Sequence, residues 1–457
     1  MLAALSALGV AGLVAGFYVW SVRDLKVQWR KAAADAGLED VAASVPFGAR
    51  LFLGGHRGTL DVRVSGSPAS RWNAILDITV EGLRALPPTL ALYTRSMSGF
   101  VDSFYQYADY QLGDPAFDET FLVLGRPEVT LGVLDKDLRA DLCALASRGG
   151  VKVEKGRITL RLRPAPTRRR EAAGHLQAVL SVAQSLSRPA QLPATLEARF
   201  EEEPMASVRL QQVRTLARSY QHDPRARATL VRACSDPSDQ VRIQAARALG
   251  EEGQETLLEI AERPGLSEPV AVRAIEALGA SLPAQRGLVL LDHSLRAGRR
   301  VVARALLVGL GRRGGTEVVR RIATVLAVEH AEMATAAAEA LGLAGGADAE
   351  AALVAALERS EEAVRRAAAL ALGKAGTARA IPLLQAAAKE RPAEWWFRRD
   401  VQTAVAAIQA RLLHADRGQL SLAEPEGGDL SLALDGPGSG HVSEVASTGD
   451  EGDSPPK

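Results

Sequence analysis

Residues 236–250 read DPSDQVRIQAARALG, and residues 359–373 read RSEEAVRRAAALALG. With Gly250 taken as the closing mark, the same mark recurs at Gly279, Gly311, Gly342 and Gly373, at spacings of 29, 32, 31 and 31. One unit earlier, Ala217 closes VRTLA, 33 residues before Gly250. A period sustained at roughly 20–50 residues constrains a chain more than its composition does. Each unit is too small to bury its own apolar face, so units must stack and bury a continuous one.

The columns say what each unit is. One residue before the mark stand Leu216, Leu249, Leu278, Leu310, Leu341 and Leu372. Nine before stand Val208, Val241, Val270, Val302, Met333 and Val364. Five before, Ala245, Ala274, Ala337 and Ala368 alternate with Leu306 and Gln212. Steps of four place the three columns on one stripe of a helix, and alanine in the middle lets neighbouring helices approach closely. Second amphipathic stretches lie between these helices: TLLEIAERP, RGLVLLDHSL, EVVRRIATVLAV, AEAALVAALERS and RAIPLLQAAAK. Each unit therefore predicts a helix pair. The marking glycine is expected to end the first helix in the left-handed conformation. Asp236-Pro237 is expected to begin it, with Asp as N-cap and Pro in the first turn.

These residues resemble HEAT repeats, in particular the short type first described in phycobilisome lyases, whose Val-Arg-x-x-Ala-Ala-x-Ala-Leu-Gly pattern both quoted stretches carry. The resemblance covers about 200 residues. It implies an α-solenoid and a polar ladder between repeats made by an Asp and an Arg six apart. Asp236 and Arg242 fit that ladder, as does Arg365, although Arg359 stands where its Asp should be and Val-Arg is missing at 270, 302 and 333. The last unit, AEWWFRRDVQTAVAAIQARLL, departs most, as a terminal repeat facing water should. Trp395, Trp396, Phe397 and Arg398 have two readings there: a partner-binding hot spot, or closure of the core.

Ahead of the repeats the chain changes character. Residues 1–22, MLAALSALGVAGLVAGFYVWSV, hold no charged side chain and are long enough for a helix across a ~30 Å hydrocarbon core. Arg23, Lys26, Arg30 and Lys31 follow. An uncleaved transmembrane anchor is favoured over a signal peptide, because no basic n-region precedes the run. The positive flank then places the bulk of the chain in the cytoplasm, single-pass, on a bacterial inner membrane. Residues 23–165 predict a small α+β domain. The helical pattern runs through WRKAAADAGLEDVA, strands follow at ARLFLGG, TLDVRVSG, AILDITVEG and DETFLVLG, and a helix with Leu134, Leu138, Leu142 and Leu145 on one face comes next. VKVEKGRITLRLR predicts a hairpin turning at Lys155-Gly156. Within LGDPAFDETF, Asp114 and Asp118 are open to two readings: a carboxylate pair for metal or acid–base work, or a turn and a cap. The Gly-Asp-Pro-x-Phe-Asp signature looks like that of an uncharacterised domain in bacterial membrane-anchored proteins, and the likeness implies no activity. Residues 166–199 predict a linker helix packing on one flanking domain, 200–413 the solenoid, and 414–457 a disordered acidic tail with nine acidic residues against Arg417 and Lys457.

Several function classes find no support. None of the seven histidines is followed by Glu, so the repeated His-Glu pairs of iron-binding HEAT-like hydroxylases are missing. No phosphate loop or nucleophile elbow is present. Cys143 and Cys234 form no metal-ligand spacing. The net charge of +1 gives no field for nucleic acid. The sequence thus predicts a mainly α protein: a HEAT-like α-solenoid preceded by a transmembrane helix and a small α+β domain. It would be non-catalytic and without cofactor, binding another protein and not nucleic acid. The alternatives are a lyase-type HEAT-like enzyme and a nucleic-acid-binding HEAT-like protein.

Overall fold

The computed structural model describes residues 26–44, 51–67, 75–97, 109–166, 168–188 and 192–413. The predicted anchor (1–22) and acidic tail (414–457) lie outside the described residues. Among the described helices, none is long and apolar enough to cross a membrane.

Alternating Leu, Ile and Val make the first domain an eight-stranded sheet. Its strands are β1 (Glu39–Ser44), β2 (Leu51–Arg57), β3 (Leu60–Ser67), β4 (Ile75–Glu81), β5 (Ala91–Thr94), β6 (Phe121–Leu124), β7 (Gly150–Glu154) and β8 (Arg157–Leu162), in the order β1-β2-β3-β4-β8-β7-β5-β6. Every pairing is antiparallel. Register follows the alternation. Val64 faces Ile78, Ile78 faces Leu160, and Leu160 faces Val151, all buried. The other face is polar: Arg161 donates two hydrogen bonds to Asp77 at 2.8 and 2.9 Å, and the Thr79 and Thr159 hydroxyls meet at 3.1 Å. Lys155 and Gly156 both take positive φ (49° and 72°), which a two-residue hairpin turn of this hand requires.

A helix at 26–35 and the helix Arg169–Leu186 cover the apolar face, through Trp29, Leu176, Val179, Leu180 and Ala183 among others. The helix expected as a linker thus packs on the sheet domain and contributes to its core. The helical pattern read through WRKAAADAGLEDVA ends sooner than expected. Gly37 takes φ +72°, and Glu39–Ser44 becomes β1.

The solenoid follows as stacked helix pairs. First helices run Ala206–Ser219, Asp239–Leu249, Glu268–Leu278, Arg300–Arg313, Ala331–Ala344, Glu362–Ala375 and Trp395–Leu413. Second helices run Pro224–Ala233, Gln254–Glu262, Ala284–Arg296, Thr316–Val328, Ala347–Ala356 and Ala380–Glu390. The predicted stripe is the core: its members are buried, except Leu249 and Val270, which are half-buried against it.

Two boundary expectations need correction. Gly250 and Gly279 do end helices, at φ +64° and +51°. Gly311, Gly342 and Gly373 instead sit inside helices that run on for at least two more residues. Their role is close approach. A Cβ on Gly311 would lie 2.4 Å from the Ala340 carbonyl oxygen, and one on Gly373 would lie 2.8 Å from the Ala404 Cα. Asp236 is not the N-cap either. The helix starts at Asp239 after Ser238, and the Asp236 carboxylate accepts the Ser238 N–H at 2.8 Å while turning to another partner.

Candidate functional site

That partner is Arg209 of the preceding repeat. Its Nε and Nη2 donate to the two Asp236 oxygens at 2.7 and 2.9 Å, while Nη1 donates to the carbonyls of Glu203 and Pro204 at 2.8 and 3.0 Å. Arg365 repeats the arrangement. It donates to both Glu394 oxygens and, through Nη1, to the carbonyls of Arg359 and Ser360. Each of these rungs joins one repeat to the next. Arg242, the other residue of this repeat that fits the ladder, makes no such rung and donates to the Cys234 carbonyl at 2.8 Å and to Glu259 at 3.1 Å. The reason is sequence: where the next repeat should offer an acid, fourteen before Gly279, it has Gly265.

Arg359 fills its place by reversing the rung. It reaches back to the carbonyls of Leu326, Ala327 and Glu329, the turn that an arginine at Ala334 would have capped. It also holds Glu361 by a two-pronged bond, and with the Glu361 N–H and the Ser360 hydroxyl it pulls that carboxyl down to about 2.

The first rung lies outside the repeats. Glu203 stands fourteen before Ala217, as Asp236 stands fourteen before Gly250. Its arginine is Arg139, on the helix Lys136–Ala146 of the sheet domain, with Nη2 at 2.8 and 3.0 Å from the two carboxylate oxygens. Burial opposes the Arg139 charge, and the bonds to Glu203 and Asp114 outweigh it, so its pKa is raised. Sequence reasoning missed Arg139, Glu203, Arg209 and Glu394. Spacing alone could have found Glu203 and Arg209, but nothing periodic points to Arg139.

The Gly-Asp-Pro-x-Phe-Asp segment is part of this seam. Asp114 caps the helix Pro115–Thr120 by accepting the Phe117 N–H, and its second oxygen accepts from Arg139 Nε at 2.8 Å. Asp118 accepts the N–H groups of Leu112 and Gly113 at 3.0 and 2.8 Å. Burial pushes its carboxyl up despite those bonds. Gly113, at φ +91°, lets Ser207 of the first solenoid helix pack against it and donate its hydroxyl to the Gly113 carbonyl; an added Cβ would sit 2.9 Å from the Ser207 Cβ. Asp114 thus holds Arg139 in place and Asp118 fixes the Leu112-Gly113 backbone, both from the sheet-domain side of the seam. Among the described residues, no three His, Cys, Asp or Glu side chains gather to hold a metal ion.

The last helix separates the four residues singled out at its start. Phe397 is fully buried, in register with Val401, Ala404 and Ile408, and closes the core. Trp395 and Trp396 remain 53% and 51% exposed. Their rings meet edge to face at 4.3 Å, with the Arg399 guanidinium 5.8 Å from each and Arg366 5.7 Å from Trp396. Arg366 is itself held by Asp400 at 2.6 Å. The indoles are thus braced in an exposed position. Beside them a groove of about 910 Å³ runs between Ala380–Glu390 and Trp395–Leu413. Ala388, Val401 and Val405 are among its apolar lining, Lys389, Arg398 and Arg399 stand on it, and among the described residues no carboxylate lines it.

The family described as HEAT repeats matches residues 193–279 and 322–406. Both matched segments cover stacked helix pairs, which run on through the unmatched stretch between them. Among solved structures, human deoxyhypusine hydroxylase in complex with glycerol is similar at 19% identity and a TM-score of 0.23, covering 48% of this chain and 98% of that one. That overlap is too slight to carry a fold or an activity across. No curated protein matches this chain.

Proposed function

We propose that this protein is a recognition scaffold, tethered to a bacterial inner membrane through residues 1–22, that binds another protein with the C-terminal end of its solenoid. No bond is made or broken; the bulk of the chain works on the cytoplasmic side. One observation carries the reading: Trp395 and Trp396 stand half exposed and braced by Arg399 and Arg366 at the end of an otherwise closed core. Trp and Arg are the residues on which binding energy concentrates at interfaces. An indole half covered leaves about 100 Å² for a partner, worth roughly 2–3 kcal/mol each on burial. The sheet domain, locked to the first repeat through Arg139 and Glu203, gives that end a fixed direction.

The test is affinity capture with the full chain in detergent, comparing wild type with Trp395→Ala/Trp396→Ala and with Val231→Ala, an exposed side chain far along the array. A stoichiometric protein kept by Val231→Ala and lost by the tryptophan variant is the expected result. Equal capture by all three chains would remove this surface from consideration.

A further inference from the structure

The groove beside Trp395 has a mixed lining: Ala388, Val401 and Val405 form an apolar strip, and Lys389, Arg398 and Arg399 flank it with no carboxylate among the described lining residues. The chain itself continues from the end of the helix that forms one wall. Residues 420–434 read LSLAEPEGGDLSLAL, two copies of LSLA separated by Glu424, Glu426 and Asp429 and followed by Asp435. In each copy leucine alternates with a small or polar residue, which in an extended chain puts the leucines on one side. The acids then have three cations to meet.

Length permits the return. The helix Trp395–Leu413 has 19 residues and is about 28 Å long. Fifteen extended residues span about 50 Å, and residues 414–419, including Gly418, are available for the reversal. Tethering sets the local concentration in the millimolar range, so even a weak contact is occupied. We propose that residues 420–434 of this chain lie in the groove between Ala380–Glu390 and Trp395–Leu413. There the leucines cover the apolar floor and the acids pair with Lys389, Arg398 and Arg399. The segment then covers the groove side of Trp395 and acts as an internal competitor for any outside partner. The inference rests on the groove as a docking surface and not on the existence of that partner.

The experiment uses the full chain in detergent with benzoylphenylalanine at Leu430 or Leu432, photolysed at several protein concentrations and mapped by mass spectrometry. A control carries the probe at Ser454. Adducts within one chain on residues 385–409, independent of concentration and cut about tenfold by Lys389→Glu/Arg398→Glu, are the expected result. Both substituted residues are exposed, so the variant keeps its core. Adducts to a second copy, to another surface, or at no more than the Ser454 level would overturn the proposal. Capture of a partner through Trp395 and Trp396 without the intramolecular adduct would leave the scaffold reading standing; the reverse result would leave the competitor without its rival.

Discussion

Arg139 of the sheet domain holds both Glu203 oxygens through Nη2 at 2.8 and 3.0 Å, at the place in the repeat where Arg209, one unit further on, holds Asp236 through Nε and Nη2 at 2.7 and 2.9 Å. Both acids also accept an N–H two residues ahead, from Met205 and Ser238. The sheet domain therefore occupies the place of a preceding repeat. The capping requirement of a solenoid is met by a different fold.

Breaking that first rung should be costly. Arg139→Met leaves Glu203 buried without its cation, a loss of about 3–5 kcal/mol, and pairing it with Glu203→Leu should restore much of that. Urea midpoints of the single and double variants decide it. A loss in the double variant equal to the sum of the two single losses would mean the pair is not coupled.

The rungs should also rank. Asp236→Ala strands Arg209 and should cost about 3 kcal/mol or more. Arg242→Ala removes a pair with a largely exposed Glu259 and should cost less than about 1 kcal/mol. The same midpoints measure both.

The glycines divide in two. Gly250→Ala meets no neighbour but must hold φ +64°, a cost of about 1 kcal/mol. Gly311→Ala and Gly373→Ala would gain about 1 kcal/mol in an isolated helix. Here the added methyl strikes backbone of the next repeat, and a net loss of about 1–3 kcal/mol is expected. Thermal unfolding of the three variants checks the order.

How much of this was legible follows from distance along the chain. The stripe of Val, Ala and Leu was readable because its members lie four apart, and the hairpin because Lys155-Gly156 is local. The meaning of Gly311 and Gly373 was not, because it depends on helices continuing past the mark and on backbone one repeat away. Asp236 was assigned a local capping role because its true partner, Arg209, lies 27 residues earlier in the chain. At 395–398 the order of the residues was plain, but only the helix phase separates buried Phe397 from exposed Trp395.

Phase predicts the mutational outcome at that end. Phe397→Ala should cost about 3–5 kcal/mol of stability. Trp395→Ala should cost less than about 1 kcal/mol while abolishing capture. A stability loss as large for Trp395→Ala would make it a core residue.

His175 gives a pH dependence. It is half buried on the helix Arg169–Leu186, its Nδ1 has no hydrogen-bond partner, and burial followed by the Arg148 charge lowers its pKa below 6.5. The unfolded chain then holds the proton more readily than the native one. Stability is full above 6.5 and is lost as pH falls through the lowered native value. His175→Gln should flatten that slope in denaturation midpoints taken across the window.

The reversed rung at Arg359 has a consequence for how such an array can change length. Near-identical units suggest parts that can be duplicated or excised at will. Here the seams at Asp236 and Glu394 are keyed by an arginine from the repeat before. Removing the unit that begins at Glu361 would bring Glu394 against a repeat with Ala334 where its arginine should be. It would also take away Arg366, the cation that holds Asp400. Units can be exchanged only with the neighbours that complement them, so the order of repeats is as much a part of this protein's specification as their sequence.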